Sequence, residues 1–150
     1  MAITIEDASI KHLDKLYEIE MKCFKKEAFT KQQIAQLLKN PNSISLIAKE
    51  NGDIVGFIIG MLSVEDGSLV GHILTIDVSP SHRRKGVGIK LLQEIEKIFK
   101  DRQTIVCRLE VREDNVAALN LYQKLGYKEI GKLKYYYGDA NGILLEKPLL

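Results

Sequence analysis

Ile3 and Ile5 alternate with polar neighbours, which predicts a first strand. The period then changes. Ile10, Leu13, Leu16, Tyr17 and Cys23 share one face of a predicted helix that Ser9 is placed to cap. Thr30 and Gln33 form a capping-box pattern before Ile34, Leu37 and Leu38, so a second helix follows, ended by Asn40-Pro41. Apolar runs at 44–49 and 54–63 predict two strands. Asn51-Gly52 between them predicts a hairpin whose turn needs positive φ at both central positions. A long strand is expected over 69–78. After a glycine-containing loop, Leu91, Leu92, Ile95, Ile98 and Phe99 mark one helix face. Residues 104–111 alternate as a strand, with Ile105, Cys107, Leu109 and Val111 on one side. Asn115 or Asp114 caps a further helix, and Gly126 ends it in the left-handed conformation. Residues 127–136 and 143–147 are expected to form a closing hairpin.

This order predicts an α/β fold: one mixed central sheet of about seven strands with about four helices. The first strands pair antiparallel, and the two later strand–helix–strand units require crossovers. The 150 residues suit a single domain spanning 1–150. A domain of that size buries roughly 70% of its unfolded surface, enough for a core without staples. Hydrophobic residues at 45% and charged residues at 28% argue against disorder. A net charge of +2 is too small for bulk nucleic-acid binding. Cys23 and Cys107 form no CxxC pair and share no metal-ligand spacing with His12, His72 and His82. Two reduced thiols and no metal are therefore expected. The longest apolar stretch, 54–64, is far short of the ~20 residues of a spanning helix. The first residues lack a basic region and an apolar signal core. A cytoplasmic location with no membrane partner is the expectation.

The most informative segment runs from Val78 to Gly88 and joins a strand to an amphipathic helix. Gly86 and Gly88 let backbone N–H groups approach an anion, and a helix N-terminus adds favourable dipole. Arg83, Arg84 and Lys85 add positive charge. On residue chemistry alone a tight turn with a solvated basic rim explains the segment equally well. It is neither a Walker A loop nor a Rossmann fingerprint.

Arg83, Gly86 and Gly88 do fill the fixed positions of an Arg/Gln-x-x-Gly-x-Gly/Ala signature, and the segment resembles the donor loop of GNAT acetyltransferases. The resemblance implies a GNAT-type fold with acetyl-CoA as cofactor. It implies that the amides of Arg84, Lys85, Gly86, Val87, Gly88 and Ile89 hold the pyrophosphate beside Arg83. It also implies that the backbone of Ile76, Asp77 and Val78 pairs with the pantetheine arm. The family often has a small or apolar residue where Asp77 stands, a departure that bears on the substrate side.

A second stretch, 109–127, reads Leu-Glu-Val-Arg-Glu-Asp-Asn-Val-Ala-Ala-Leu-Asn-Leu-Tyr-Gln-Lys-Leu-Gly-Tyr. It resembles the Leu-Glu-Val-Arg-x-x-Asn-x-x-Ala-x-x-Leu-Tyr-x-x-x-Gly-Phe/Tyr stretch of N-terminal and ribosomal-protein alanine acetyltransferases. The chemistry explains the residue types. An amine attacks a thioester only when neutral, so a base must take its proton, and a nearby acid assists the departing thiolate. By resemblance Glu110 is the base, Tyr122 the acid, and Asn115 binds cofactor or fixes the loop. The structural alternatives are a Glu110–Arg108 pair, a half-buried helix tyrosine and a plain helix cap. His72 is expected on the same strand side as Leu74, Ile76 and Val78, as a second proton acceptor opposite Glu110 or as a satisfied core histidine. The tyrosine-rich segment 134–142 resembles the hairpin that such enzymes fold over a peptide, so Tyr135 and Tyr136 are expected at the acceptor. Phe29, in the first helix–helix connection, is expected on the other wall. The acceptor implied is a protein or peptide N-terminus, a ribosomal protein among the possibilities. Small amines, internal lysines and a non-catalytic acyl-CoA sensor are the alternatives.

Overall fold

The computed structural model describes residues 2–150. Strand β1 (Ile3–Asp7) leads through a 3-10 turn (Ile10–His12) into helix α1 (Leu13–Cys23), and α2 (Lys31–Lys39) follows. Strands β2 (Ser43–Glu50), β3 (Asp53–Glu65) and β4 (Ser68–Val78) form a meander. Helix α3 (Val87–Asp101), β5 (Val106–Arg112), α4 (Val116–Lys124), β6 (Lys128–Leu133) and β7 (Gly142–Pro148) complete the order. The seven strands make one sheet in the order β1-β2-β3-β4-β5-β7-β6. Only β4 and β5 pair in parallel, so the sheet is mixed as expected.

Local chemistry accounts for the boundaries. Thr30 Oγ1 accepts the Gln33 N–H at 3.1 Å, and Gln33 Oε1 accepts the Thr30 N–H at 2.9 Å, closing the capping box. Asn51 and Gly52 have φ of +54° and +83°, the paired left-handed geometry that a two-residue hairpin demands. Asp66-Gly67 repeats it between β3 and β4, where the sequence reading saw only an acidic loop.

Two cores sandwich the sheet. Leu16, Ile19 and Ile34 of α1 and α2 pack on Ile47, Phe57 and Ile59. On the opposite face Leu91, Leu92, Ile95 and Phe99 of α3 pack on Ile58, Ile73 and Leu109. A Cβ at Gly71 would lie 2.6 Å from the Phe99 ring, so this glycine lets the ring press onto the strand.

Three features differ from the sequence reading. Ile59 lies opposite Thr75 and Gly60 opposite Ile73, so Leu74 is an extra residue in β4. That bulge reverses the alternation. Leu74 packs in the α1–α2 core, whereas Ile76 and Val78 pack against the α3 core. His72 therefore points to the α1–α2 face with Leu74 and away from Ile76 and Val78. Second, β5 begins at Val106, so Ile105 lies just outside it with its side chain exposed, while its N–H and carbonyl bond to Leu69 and Leu149 at the sheet end. Third, β6 stops at Leu133, and residues 134–137 form turns instead of strand. Tyr135 takes φ of +53°, and its N–H donates to Asn141 Oδ1, which folds the tyrosines into a loop.

Candidate active site

The parallel ladder between β4 and β5 spans only Val70–Val106, Gly71–Cys107 and His72–Arg108. Beyond it β4 pairs only with β3, and β5 only with β7. The strands splay, and two adjoining cavities open in the gap.

The larger cavity, about 550 Å³, has Thr75, Ile76, Leu109 and Glu110 on its floor. Phe24, Glu27 and Phe29 from the α1–α2 connection form one wall, and Tyr136 and Tyr137 the other. The smaller, about 420 Å³, runs past Val78 to Arg83, Gly88 and Ile89. Ile76, Asn115, Ala118 and Tyr122 line both, so the two communicate.

At the smaller cavity the loop takes left-handed φ at Arg84 (+65°) and Gly86 (+80°). Gly86 is the N-cap of the 15-residue α3, whose first-turn amides have no intrahelical acceptors. Such a helix start is an anion site. Gly88 leaves the channel open: a Cβ there would meet Val78 Cγ2 at 3.5 Å. Arg83 Nε donates to the Val78 carbonyl at 3.2 Å, and Cys23 Sγ–H donates to the same oxygen at 3.3 Å. That carbonyl is thus already engaged within the chain. Lys85 pairs with Glu50 at 3.7 Å, Val87 is buried in the core, and neither lines a cavity; nor does Arg84.

Glu110 lines the larger cavity, and His72, outside that lining, approaches it from behind with Nε2 2.8 Å from Glu110 Oε1. Arg108 is committed elsewhere, to Glu146 at 2.6 Å and Glu65 at 2.8 Å. Glu110 is therefore left to His72, and the Glu110–Arg108 alternative does not hold. Tyr122 is buried, its ring edge-on to Tyr127 at 5.8 Å. Burial, with a contribution from Cys107, pushes its phenol up to about 12. Its hydroxyl has no hydrogen-bond partner among the described residues. Asn115 Oδ1 accepts the Ala118 N–H at 3.2 Å, so Asn115 is the α4 cap while also lining both cavities.

Tyr135 is 75% exposed and outside the cavity, whereas Tyr137, which the sequence reading passed over, lines it. Arg112 was missed as well. Its guanidinium holds Asp114 through two 3.1 Å bonds, reaches Asp139 at 3.2 Å, pairs with Glu27, and stands over the Tyr137 ring at 5.5 Å. It thereby ties both cavity walls to the end of β5. Its place in the Leu-Glu-Val-Arg run was the available signal. Asp77 is buried at 1% exposure with its carboxyl turned away from the cavities. Cys23 and Cys107 are free thiols, and no cluster of three or more metal-ligating side chains occurs among the described residues. No helix there is long and apolar enough to cross a membrane.

A splayed sheet with a helix N-terminus at one end of the gap and a carboxylate–imidazole pair at the other suits a group transferase with a phosphate-bearing donor. The chain belongs to the acetyltransferase (GNAT) family, whose description matches residues 13–127. It is 34% identical over 122 residues to an N-alpha-acetyltransferase of Sulfurisphaera tokodaii, covering 75% of this chain and 73% of that protein. Ard1 from Thermoplasma volcanium superposes with a TM-score of 0.90 at 28% identity, over 100% of this chain and 99% of that one. The ribosomal-protein-S18-alanine N-acetyltransferase from Escherichia coli gives 0.89 at 26% identity, over 99% and 94%.

Proposed function

We propose that this enzyme transfers the acetyl group of acetyl-CoA to the N-terminal α-amine of protein chains, in the cytoplasm, with ribosomal proteins among its acceptors. The observation that carries this reading is the larger cavity: the Glu110 carboxylate on its floor, backed by His72, between two aromatic walls, suited to receive one chain end. The names of two relatives above, an N-alpha-acetyltransferase and a ribosomal-protein-S18-alanine N-acetyltransferase, support it.

Acetyl-CoA is the donor substrate. The α3 amides from Gly86 to Ile89, with the Arg83 guanidinium, hold its pyrophosphate, and the splayed edge of β4 at Ile76 takes the pantetheine arm. The acceptor amine enters as an ammonium ion. Glu110, directly or through His72 or a water, accepts the first proton and passes it to solvent; the neutral nitrogen attacks the thioester carbon, a C–N bond forms, the C–S bond breaks, and the second nitrogen proton goes to the departing sulfur to give the free thiol. Tyr122 lines both cavities, where the sulfur departs, and its phenol stays protonated to donate to the thiolate. An α-amine, with an ordinary pKa of about 8, surrenders its proton more readily near neutrality than a lysine near 10.4. Phe29, Tyr136 and Tyr137 contact the first acceptor residues.

The test is a panel of short peptides differing in residues one and two, run beside the same peptides with blocked N-termini and an internal lysine, and beside free small amines. Turnover of unblocked peptides alone is expected. Turnover confined to lysine or small amines overturns the acceptor assignment, and acetyl-CoA binding without turnover on any acceptor leaves a sensor.

A further inference from the structure

Glu20 of α1 and Asp77 of β4 are both 1% exposed, and they meet at the seam between helix and strand. Thr75 Oγ1 lies between them, 2.5 Å from Asp77 Oδ1 and 3.1 Å from Glu20 Oε1. A hydroxyl carries one hydrogen. It serves one of two carboxylates, and the second contact needs a hydrogen from the carboxyl itself. Asp77 Oδ2 has no hydrogen-bond partner, a heavy cost for a charged oxygen and a small one for a neutral acid. Glu20 has a donor at each oxygen, because its Oε2 accepts the Phe29 N–H at 2.9 Å. The hydrogens therefore run one way: Asp77 O–H to Thr75, Thr75 O–H to Glu20 Oε1, and Phe29 N–H to Glu20 Oε2.

We propose that Glu20 and Asp77 hold a single proton between them through Thr75, and that this pair positions the acceptor-binding loop by keeping Glu20 on the Phe29 amide. The inference rests on the reading of residues 24–29 as a wall of the acceptor cavity. The charged and titratable groups facing Asp77 are Glu20 and Cys23 from α1 and Arg83 from the loop after β4, while β3 offers Phe57 across the strand. Arg83 is turned to the Val78 carbonyl and the Cys23 sulfur and makes no ion pair with Asp77 among the described residues. Burial, then the hydrogen bond and charge of Glu20, push the Asp77 carboxyl up to about 9. Asp77 therefore keeps its proton through neutral pH. Once Asp77 ionises, it draws the Thr75 hydrogen and repels Glu20, and the loop loses its anchor. Asp77 is harder to ionise folded than unfolded, so its contribution to stability is complete below the ordinary carboxyl range near 4 and is lost as pH rises through about 9.

Asp77→Asn tests this, because an amide donates to Thr75 and cannot ionise. Carbon-detected NMR follows the Asp77 carboxyl and the Phe29 amide in the natural chain, while KM and kcat for a peptide acceptor are measured in both proteins from pH 7 to 10. Titration of the α-amine is common to both proteins and cancels in the ratio. The expected result is an Asp77 titration in the alkaline range that the Phe29 amide follows. The KM ratio of natural chain to variant should be near one at pH 7 and rise about tenfold by pH 10, the loss of one charge-assisted hydrogen bond, with the kcat ratio flat. The melting temperature of the natural chain should fall relative to the variant over the same span. An Asp77 carboxyl titrating in the ordinary acid range, or a Phe29 amide indifferent to it, overturns the proposal, and this reading needs only the natural chain. A Phe29 amide that follows the titration while KM stays flat supports the shared proton and removes the loop from the acceptor site.

Discussion

Replacing Tyr122 by Phe removes one hydroxyl from the junction of the two cavities and leaves the ring. The phenol, held at about 12, is a weak acid beside an ordinary thiol near 8.5. Complete proton transfer to a departing thiolate is then uphill by roughly 5 kcal/mol, from about 3.5 pKa units at 1.36 kcal/mol each. In the proposed mechanism Tyr122 would therefore act by donating a hydrogen bond to the developing charge, with the proton remaining on oxygen. A hydrogen bond to a charged group contributes about 1.5–3 kcal/mol, so Tyr122→Phe should slow acetyl transfer by roughly ten- to 150-fold. Fold stability should hold, because the hydroxyl has no partner to lose and the packing on Tyr127 is retained. The assay is single-turnover transfer with one acceptor in both proteins, accompanied by acetyl-CoA affinity and thermal melts. Equal chemical rates would refute any role for the hydroxyl. A loss well beyond a thousandfold would refute the hydrogen-bond account in favour of full proton transfer.

Glu110→Gln should lower the neutral-pH rate by about a hundredfold or more with acetyl-CoA affinity nearly unchanged, and His72→Ala should be milder. A double variant no slower than Glu110→Gln would place both on one proton path in a pH–rate series, and a natural-type profile in Glu110→Gln would make the carboxylate structural. Gly88→Asp should weaken acetyl-CoA binding at least tenfold in titration calorimetry, since the channel has room for a Cβ but a carboxylate there opposes the pyrophosphate. Unchanged affinity in a folded variant would take the loop out of the donor site. Gly71→Ala should destabilise the fold by about 1–3 kcal/mol in denaturant titration, because its methyl meets the Phe99 ring at 2.6 Å.

The parts of the molecule that local chemistry determines were readable in advance. The Thr30 box, the Asn51-Gly52 turn and the Gly126 cap each require particular residues at particular dihedrals, and each occurs where expected. The residues of the loop from 83 to 89 and of the stretch from 109 to 127 were readable for the same reason: their spacing is local. The Leu74 bulge was not, because nothing in its side chain signals the extra residue, yet it decides which face His72 occupies. Tyrosines 135–137 suit a strand by propensity, but Asn141 and Gly138 bend them into turns, an outcome set by bonds across the loop. The burial of Glu20 and Asp77 arises from residues more than fifty positions apart, and no window along the chain contains both.

The three-residue seam between β4 and β5 makes this sheet nearly two sheets, a four-stranded leaf and a three-stranded leaf hinged at one end. On the proposed binding mode, a donor laid along the opened edge would complete the missing ladder and work as a removable strand. The architecture then ties the integrity of the fold to supply of its own substrate. At a hundredfold excess over its dissociation constant, a ligand that binds only the folded chain adds about 2.7 kcal/mol. On the proposed binding mode, the fold should melt at a higher temperature with saturating acetyl-CoA than without it.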